Sequence, residues 1–431
     1  MKLVYLFVPF AIAPSALGQV TFEPLGDLPG GGAYSEAWGL SSSGEVVVGA
    51  SVVGGSGFSL VLDGLLWTQE SGAQPLFGTT TGPSARAHGA SADGSIVAGV
   101  ADYGAFNPLG SQAFVWSASS GMTLIGDLPG GSAPRGVARG ISDDGTVVVG
   151  IGESALGTQA WRYHVPSGVF TPLNDLAGGA AECYAYAVSD DGRVAVGIGR
   201  VANGTRAARW VDAGQPQNLE TLPNAAGFEP NSAAEAVNAD GSVVVGWSRS
   251  TNSPQGAEAF LWRQGQGLIG LGDLPTGAFQ SWAYGVSADG SVVVGRASIA
   301  GPCGPFGCGS EGRAFIWDAA NGMRDLQQLA TDAGADLTGW KLTEARAVSA
   351  DGRVITGNGF NPSGAGEAWR LSLAPARCIG DFTRDGAVDS DDVISFFGAW
   401  DAADPAADVT ADGGVDSDDV ILFFARWDAG C

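Results

Sequence analysis

The stretch Ala283–Gly295 reads AYGVSADGSVVVG. Small and large residues alternate, a polar turn ends on glycine, and a run of valines follows. Such a valine run suits a strand buried on both faces. The Asp-Gly pair suits a tight turn, because glycine accepts the positive φ that such turns need. The phrase reads as two antiparallel strands and their connection. It recurs as AWGLSSSGEVVVG, AHGASADGSIVAG, ARGISDDGTVVVG, AYAVSDDGRVAVG, AEAVNADGSVVVG and ARAVSADGRVITG. The turn glycines are Gly44, Gly94, Gly145, Gly192, Gly241, Gly290 and Gly352, spaced 47 to 51 residues apart except for a last interval of 62.

A second phrase follows each first one. It is a strand centred on Trp67, Trp116, Trp161, Trp210, Trp262, Trp317 or Trp369, as in AFVW, AFLW and AFIW. A glycine turn and a fourth short strand such as TLIGDLPGG come next. Each repeat is therefore four short antiparallel strands, and the Trp offers a large apolar face for stacking one sheet on the next. Seven such units fit an all-β seven-bladed β-propeller of four-stranded blades. An open β-solenoid is the competing reading, but its periods are shorter and it needs capped ends. The two ends of the array decide between them. The last repeat, EAWRLSLAPAR, lacks a fourth strand, whereas VTFEPLGDLPGG near the N-terminus is a fourth strand without the other three. The early strand would complete the last blade and remove both open edges. The propeller is assigned to residues 19–374.

The chain has 431 residues, 69 of them glycine and 21 proline, and a formal net charge of −24. That composition belongs to many strands and turns. The charge disfavours nucleic acid and anionic lipid surfaces as partners. MKLVYLFVPFAIAPSALG, with Lys2, an apolar run and a small-residue site, reads as a signal peptide over 1–18, so the protein is expected to be secreted or held at a cell surface, with no transmembrane segment. Export permits disulfides. Cys303 and Cys308 bracket a short loop that a disulfide would close, Cys378 and Cys431 bracket an acidic tail, and Cys183 is left over.

The cycle of LGDLPGG, GxSxDGxVVVG, AFxW and GM resembles the extracellular HAF-type repeat family. The resemblance covers nearly the whole propeller and implies location and architecture more than activity. The second-to-third and fourth-to-first connections vary in length and share one face, where binding would sit. The recurrent DLPGG reads as a strand crossing, and the Asp of SADG as a turn cap. Catalytic motifs are few. His88 reads as packed in a first strand, and His164 as exposed. Glu36, Glu182, Glu235 and Glu344 lie near the starts of first strands, and together they could ring one face.

The tail repeats an acidic phrase. One copy begins at Asp381 and the other at Asp408. A calcium loop of twelve residues takes oxygens from positions 1, 3, 5, 7, 9 and 12, with glycine at 6. Here those ligands are Asp381, Thr383, Asp385, the carbonyl of Ala387, Asp389 and Asp392, then Asp408, Thr410, Asp412, the carbonyl of Gly414, Asp416 and Asp419, with Gly386 and Gly413 at the turns. Helix capping by DSDD would explain one acidic turn, but not Asp at 1 and 5 with glycine at 6 twice over. Two calcium ions are expected. Thr at position 3 and Asp at position 12 depart from the usual Asp or Asn and Glu. The apolar runs VISFFGAW and VILFFARW read as two helices that pack together.

Two loop–helix units without an entering helix, ending in RWDAGC, resemble a GC-type dockerin over residues 375–431. The resemblance implies a cohesin-type partner met by Ser390, Asp391, Ser417 and Asp418, identical in the two copies, and a Cys378–Cys431 bond stapling the unit. The sequence thus leads to a non-catalytic exported binding protein or scaffold. Its propeller would present a face to a glycan or protein, and the calcium-dependent tail would anchor it to a protein partner or the cell surface. The alternative is a carbohydrate-active enzyme, lyase or glycosidase, delivered by the same tail. A central cluster of carboxylates or arginines would favour the alternative.

Overall fold

The computed structural model describes residues 20–431 except 57–58, 79–82, 105–109, 132–134, 225–226, 254–255, 276–278, 305–306, 374–379, 381, 384–387, 405–406, 411–413 and 430–431. The proposed signal peptide lies outside the described residues. The chain divides into two compact units, Thr21–Ser372 and a second that takes in Leu373–Cys431. No described helix is long and apolar enough to cross a membrane.

The larger unit is a seven-bladed β-propeller. Its strands form seven four-stranded antiparallel sheets. In the first blade they are Ser35–Leu40, Val46–Ser56, Ser59–Thr68 and Gly72–Pro75, counted from the axis outward. The expected closure is present. Val20–Pro24 forms the outer strand of the last blade, beside Gly366–Leu373, Val354–Phe360 and Lys341–Val348. The seam is held by Arg370–Glu23 at 2.5 Å, Arg370 Nε donating to the Gly44 carbonyl, and Ala37 N donating to Asn358 Oδ1 at 2.7 Å. The long last interval has a cause in the sixth blade. Its outer strand runs into helix α1 (Leu326–Asp332), capped by Asp325 and seated through buried Leu326 and Ala330.

Apolar side chains from the faces of adjacent blades form the core. Between the third and fourth blades, Val147, Val149, Cys183, Ala185 and Trp210 share one buried cluster. Trp161, Trp210 and Trp369 are fully buried. Cys183, the leftover cysteine, is an inert member of this core. It accepts from Ala160 N at 3.4 Å, and burial pushes its thiol up to about 12. The Ser-x-Asp-Gly turns are built as expected. Ser142 Oγ donates to Asp144, whose Oδ1 accepts from Thr146 N at 2.9 Å, and the same bonds recur at Ser91, Ser189, Ser287 and Ser349.

The glycine closing each valine run has a separate task. A Cβ on Gly150 would lie 2.1 Å from the Val137 carbonyl oxygen, and on Gly295 2.0 Å from that of Trp282. Each approach sits beside a β-bulge in the inner strand. The register slips between Ala37 and Gly39, Ala87 and Gly89, Ala138 and Gly140, Ala185 and Ala187, Ala234 and Ala236, Ala283 and Gly285, and Ala345 and Ala347. One residue per blade is thereby left out of the ladder and re-aimed.

The smaller unit pairs helices α2 (Ser390–Asp401) and α3 (Ser417–Ala429). Phe396 and Phe423 stack at 4.1 Å with planes 1° apart. The packing is reciprocal. Trp400 Nε1 donates to the Asp416 carbonyl at 3.2 Å, and Trp427 Nε1 to the Asp389 carbonyl at 3.1 Å.

Candidate functional site

The seven bulged residues are Trp38, His88, Arg139, Tyr186, Glu235, Tyr284 and Arg346. Together they line a cavity of about 300 Å³ on the propeller axis. At the turn end, backbone hydrogen bonds link neighbouring blades around the axis, from Ala92 N to Asp143 O, Asp143 N to Asp190 O, and on through Ala239, Ala288 and Ala350 to Ser42 O.

Inside the cavity the charges are positioned by rings. The Arg346 guanidinium lies 4.6 Å from both the Trp38 and Tyr284 ring centres, and its Nε donates to Glu344 at 2.9 Å. Trp38 also meets His88 edge to face at 5.6 Å. His88 Nδ1 lies 2.7 Å from the Ala138 carbonyl, which can only accept, so the proton sits on Nδ1 and Nε2 keeps its lone pair. Burial, reinforced by the charges of Arg139 and Arg86, lowers the His88 pKa to about 3, so the ring is neutral. Burial raises the Glu235 carboxyl despite its 3.1 Å bond from Trp247 Nε1 and the nearby guanidiniums of Arg346 and Arg139. Burial also raises Tyr284 to about 12. Burial thus biases the Glu235 carboxyl towards keeping its proton and the His88 ring towards lacking one.

Two donors here are left over. Arg139 Nε and Trp38 Nε1 are buried without a hydrogen-bond partner among the described residues. Buried donors without acceptors are costly and call for an explanation. An acceptor brought by a ligand or by solvent supplies one.

Several sequence expectations are corrected here. Of the four glutamates proposed to ring a face, only Glu235 belongs to the axial ring. Glu36 pairs with Arg86 at 2.8 Å, Glu182 with Arg200 at 2.9 Å, and Glu344 with Arg346. His88, read as a packing residue, lines the cavity. His164 is exposed, as expected, beside Ser167. The signal for the ring was present in the repeat. The residue after the leading alanine is W, H, R, Y, E, Y and R, a large or charged residue at a fixed place between two small ones.

In the tail, Asp392 and Asp419 are fully buried at the starts of α2 and α3. Asp392 accepts from Thr383 N and Asp389 N, and Asp419 from Thr410 N and Asp416 N, all at 2.8 to 3.0 Å. Thr410 Oγ1 donates to Asp408 at 3.3 Å. In each loop the described threonine and the ninth-position aspartate thus converge on the twelfth carboxylate. Asp381, Asp385, Ala387 and Asp412 lie outside the described residues. Among those described, no group of three His, Cys, Asp or Glu is placed to hold a metal. Ser390, Asp391, Ser417 and Asp418 are exposed. Cys303 and Cys308 are register partners across a hairpin, with side chains outside the described residues, as are Cys378 and Cys431.

The fold defines a class, the four-stranded, seven-bladed propeller. No family model and no curated protein matches the chain. Solved structures do. An oligogalacturonate lyase from Vibrio parahaemolyticus is 12% identical, with TM-score 0.50 over 84% of this chain and 98% of that one. A puromycin hydrolase variant complexed with PGG is 14% identical, with TM-score 0.51 over 83% of this chain and 55% of that one. TolB from Acinetobacter baumannii is 12% identical, with TM-score 0.41 over 77% and 81%. These likenesses concern the fold. They correct the expectation of a chain without catalysis, because this architecture is shared with a lyase and a hydrolase.

Proposed function

We propose that the chain is an exported carbohydrate-active enzyme that takes an acidic sugar chain in the axial cavity and cleaves it by elimination. The observation that carries this reading is the ring itself: two guanidiniums held among Trp38, Tyr186 and Tyr284, with Glu235 and His88 in the same cavity. Arginine forks suit carboxylates, and aromatic faces suit sugar rings. In the reaction, Arg139 and Arg346 hold the uronate carboxylate. His88 Nε2 takes the proton from the carbon next to it, and the electrons left behind form the C=C bond as the glycosidic C–O bond breaks. Glu235 gives its proton to the departing oxygen. Negative charge that develops on the carboxylate is met by the two guanidiniums. The bound carboxylate also raises the basicity of His88. A glycosidase would need two facing carboxylates, and the ring supplies one.

The tail is proposed as the delivery module. It would hold two calcium ions through the twelve loop positions named above, and meet a cohesin-type protein or cell-surface component through the exposed starts of α2 and α3. The fit rests on the donor set, all oxygen, and on Thr383 and Thr410 already bonded to Asp392 and Asp419. Exposed Ile394 and Ile421 occupy equivalent sites in the two helices and suit a partner's apolar surface. The HAF-type resemblance and the N-terminal signal agree with secretion.

The test is to incubate the full chain with polyuronates and follow the ultraviolet absorbance of the conjugated product. Turnover is expected on uronate chains and not on their methyl esters, and Glu235→Gln should lower it by about 100-fold or more. Absence of conjugated product from every uronate chain would refute the reading.

A further inference from the structure

The chain carries 45 acidic residues against 21 basic ones, so basic side chains without acidic partners stand out. Two of them meet in a groove of about 410 Å³ between the sixth and seventh blades, lined by Arg296, Gly312, Arg313, Lys341 and Glu344. Among the described residues neither Arg296 Nε nor Arg313 Nε, both buried, has an acceptor. Two carboxylates also line the groove, Glu311, paired with Lys341 of the same lining at 3.4 Å, and Glu344, paired with Arg346 at 2.9 Å. Arg313 Nη1 donates only to the neutral Gln327, at 2.9 Å. Among the described residues Arg296 forms no ion pair, and its guanidinium lies over the Trp282 ring at 5.8 Å. A Cβ at position 312 would come within 2.7 Å of Arg296 Nε, so Gly312 makes room for the guanidinium.

The groove is linked to the axial ring through one side chain, Glu344. Trp282 and Glu344 each precede a ring residue, Tyr284 and Arg346, by two positions on the same inner strand. Glu344 lines the groove and bonds Arg346 of the ring. We infer that this groove is a second anion subsite, taking a carboxylate or sulfate group from a further residue of the chain held in the axial cavity. The inference rests on the proposed function for the identity of that chain. The anion preference rests on the two arginines alone, whose forks match planar or tetrahedral oxyanions.

The probe is inorganic sulfate, titrated into full-length protein carrying Arg139→Ala and Arg346→Ala so that the axial guanidiniums do not compete. Saturable binding is expected. It should weaken at least tenfold on adding Arg296→Ala and Arg313→Ala, recover in part with lysine at both positions, and persist with Arg193→Ala, an exposed pair with Asp212 on a turn. Sulfate binding that is absent, or indifferent to the two alanines, overturns the subsite. A second arm compares tri- with mono-galacturonate in the otherwise native protein. The trimer should bind at least tenfold tighter, and the ratio should collapse towards one in Arg296→Ala/Arg313→Ala. A ratio unchanged by the two alanines also overturns the subsite. Sulfate captured in the groove with no uronate bound at any length upholds the anion site and removes the axial reading instead.

Discussion

The propeller and the tail both repeat themselves, but they repeat different things. The propeller repeats a frame seven times and changes the bulged residue in it, from Trp38 through His88, Arg139, Tyr186, Glu235 and Tyr284 to Arg346. The tail repeats its whole phrase, down to the exposed Ser-Asp pair at 390–391 and 417–418. In the first, the frame makes one asymmetric site out of seven members of five residue types. In the second, each copy is a complete unit, and the two are interchangeable. Variation at a fixed place points to one shared ligand. Identity at two places points to two equivalent contacts.

The most damaging change should be to the frame. Gly150→Val would drive a side chain into the Val137 carbonyl and the Trp161 ring. Neither can retreat from a sealed inter-blade face, so chemical denaturation should show a loss of about 4 kcal/mol or more. Removing the fully buried Trp161 by W161A should cost about 3 to 5 kcal/mol. Neither change should alter the unfolding of the tail, and a tail that unfolds with the damaged propeller would break the contrast.

In the tail, Asp392→Ala and Asp419→Ala should weaken partner binding by similar, small factors, and the double variant should abolish it. Unequal single effects would show that the copies are not interchangeable. Calcium chelation should remove the helical signal of the tail by circular dichroism and leave the cooperative propeller transition in place. A tail unchanged after chelation would reduce the acidic repeats to helix caps.

Titration gives a more gradual effect on the ring. The folded pKa of His88, about 3, lies below its unfolded value of 6.5. Between those values the unfolded state binds the extra proton, so stability is full above pH 6.5 and falls as pH drops towards 3. The loss is on the order of 5 kcal/mol at the full shift, and His88→Phe should flatten that limb of a melting-temperature profile. The smallest effect is expected at Asp190. Burial and the neighbouring Asp143 raise it to about 6, so it favours the fold below its unfolded value near 3.8 and loses that contribution as pH rises through 6. Asp190→Asn should therefore raise the melting temperature slightly above pH 6 and change little below pH 4.

The sequence made the blades legible because each strand carries its own local signal: a valine run, an Asp-Gly turn, a tryptophan. The closure was legible too, since a strand without a blade and a blade without a strand leave only one repair. The ring was not. It depends on a bulge one residue long, and a bulge has no periodicity of its own. Its members lie about fifty residues apart and are of five residue types, so no single-residue motif joins them. The glutamates drew attention because carboxylates suggest chemistry, yet an inner-strand position two residues away from the bulge points Glu36 and Glu344 to arginine partners. The groove between the sixth and seventh blades was hidden for the same reason. Arg296 and Arg313 stand on different strands of one blade, and only the fold sets Gly312 beside them.

The central claim is that the seven bulge residues form one anion-selective sugar site. The most direct measurement is calorimetric titration of the full chain with tri-galacturonate and with its methyl ester, in wild type and in Arg139→Ala/Arg346→Ala. The account predicts binding of the acid, at least tenfold weaker binding of the ester, and loss of that preference in the variant. Equal binding of acid and ester, or a preference that survives without the two arginines, would contradict it.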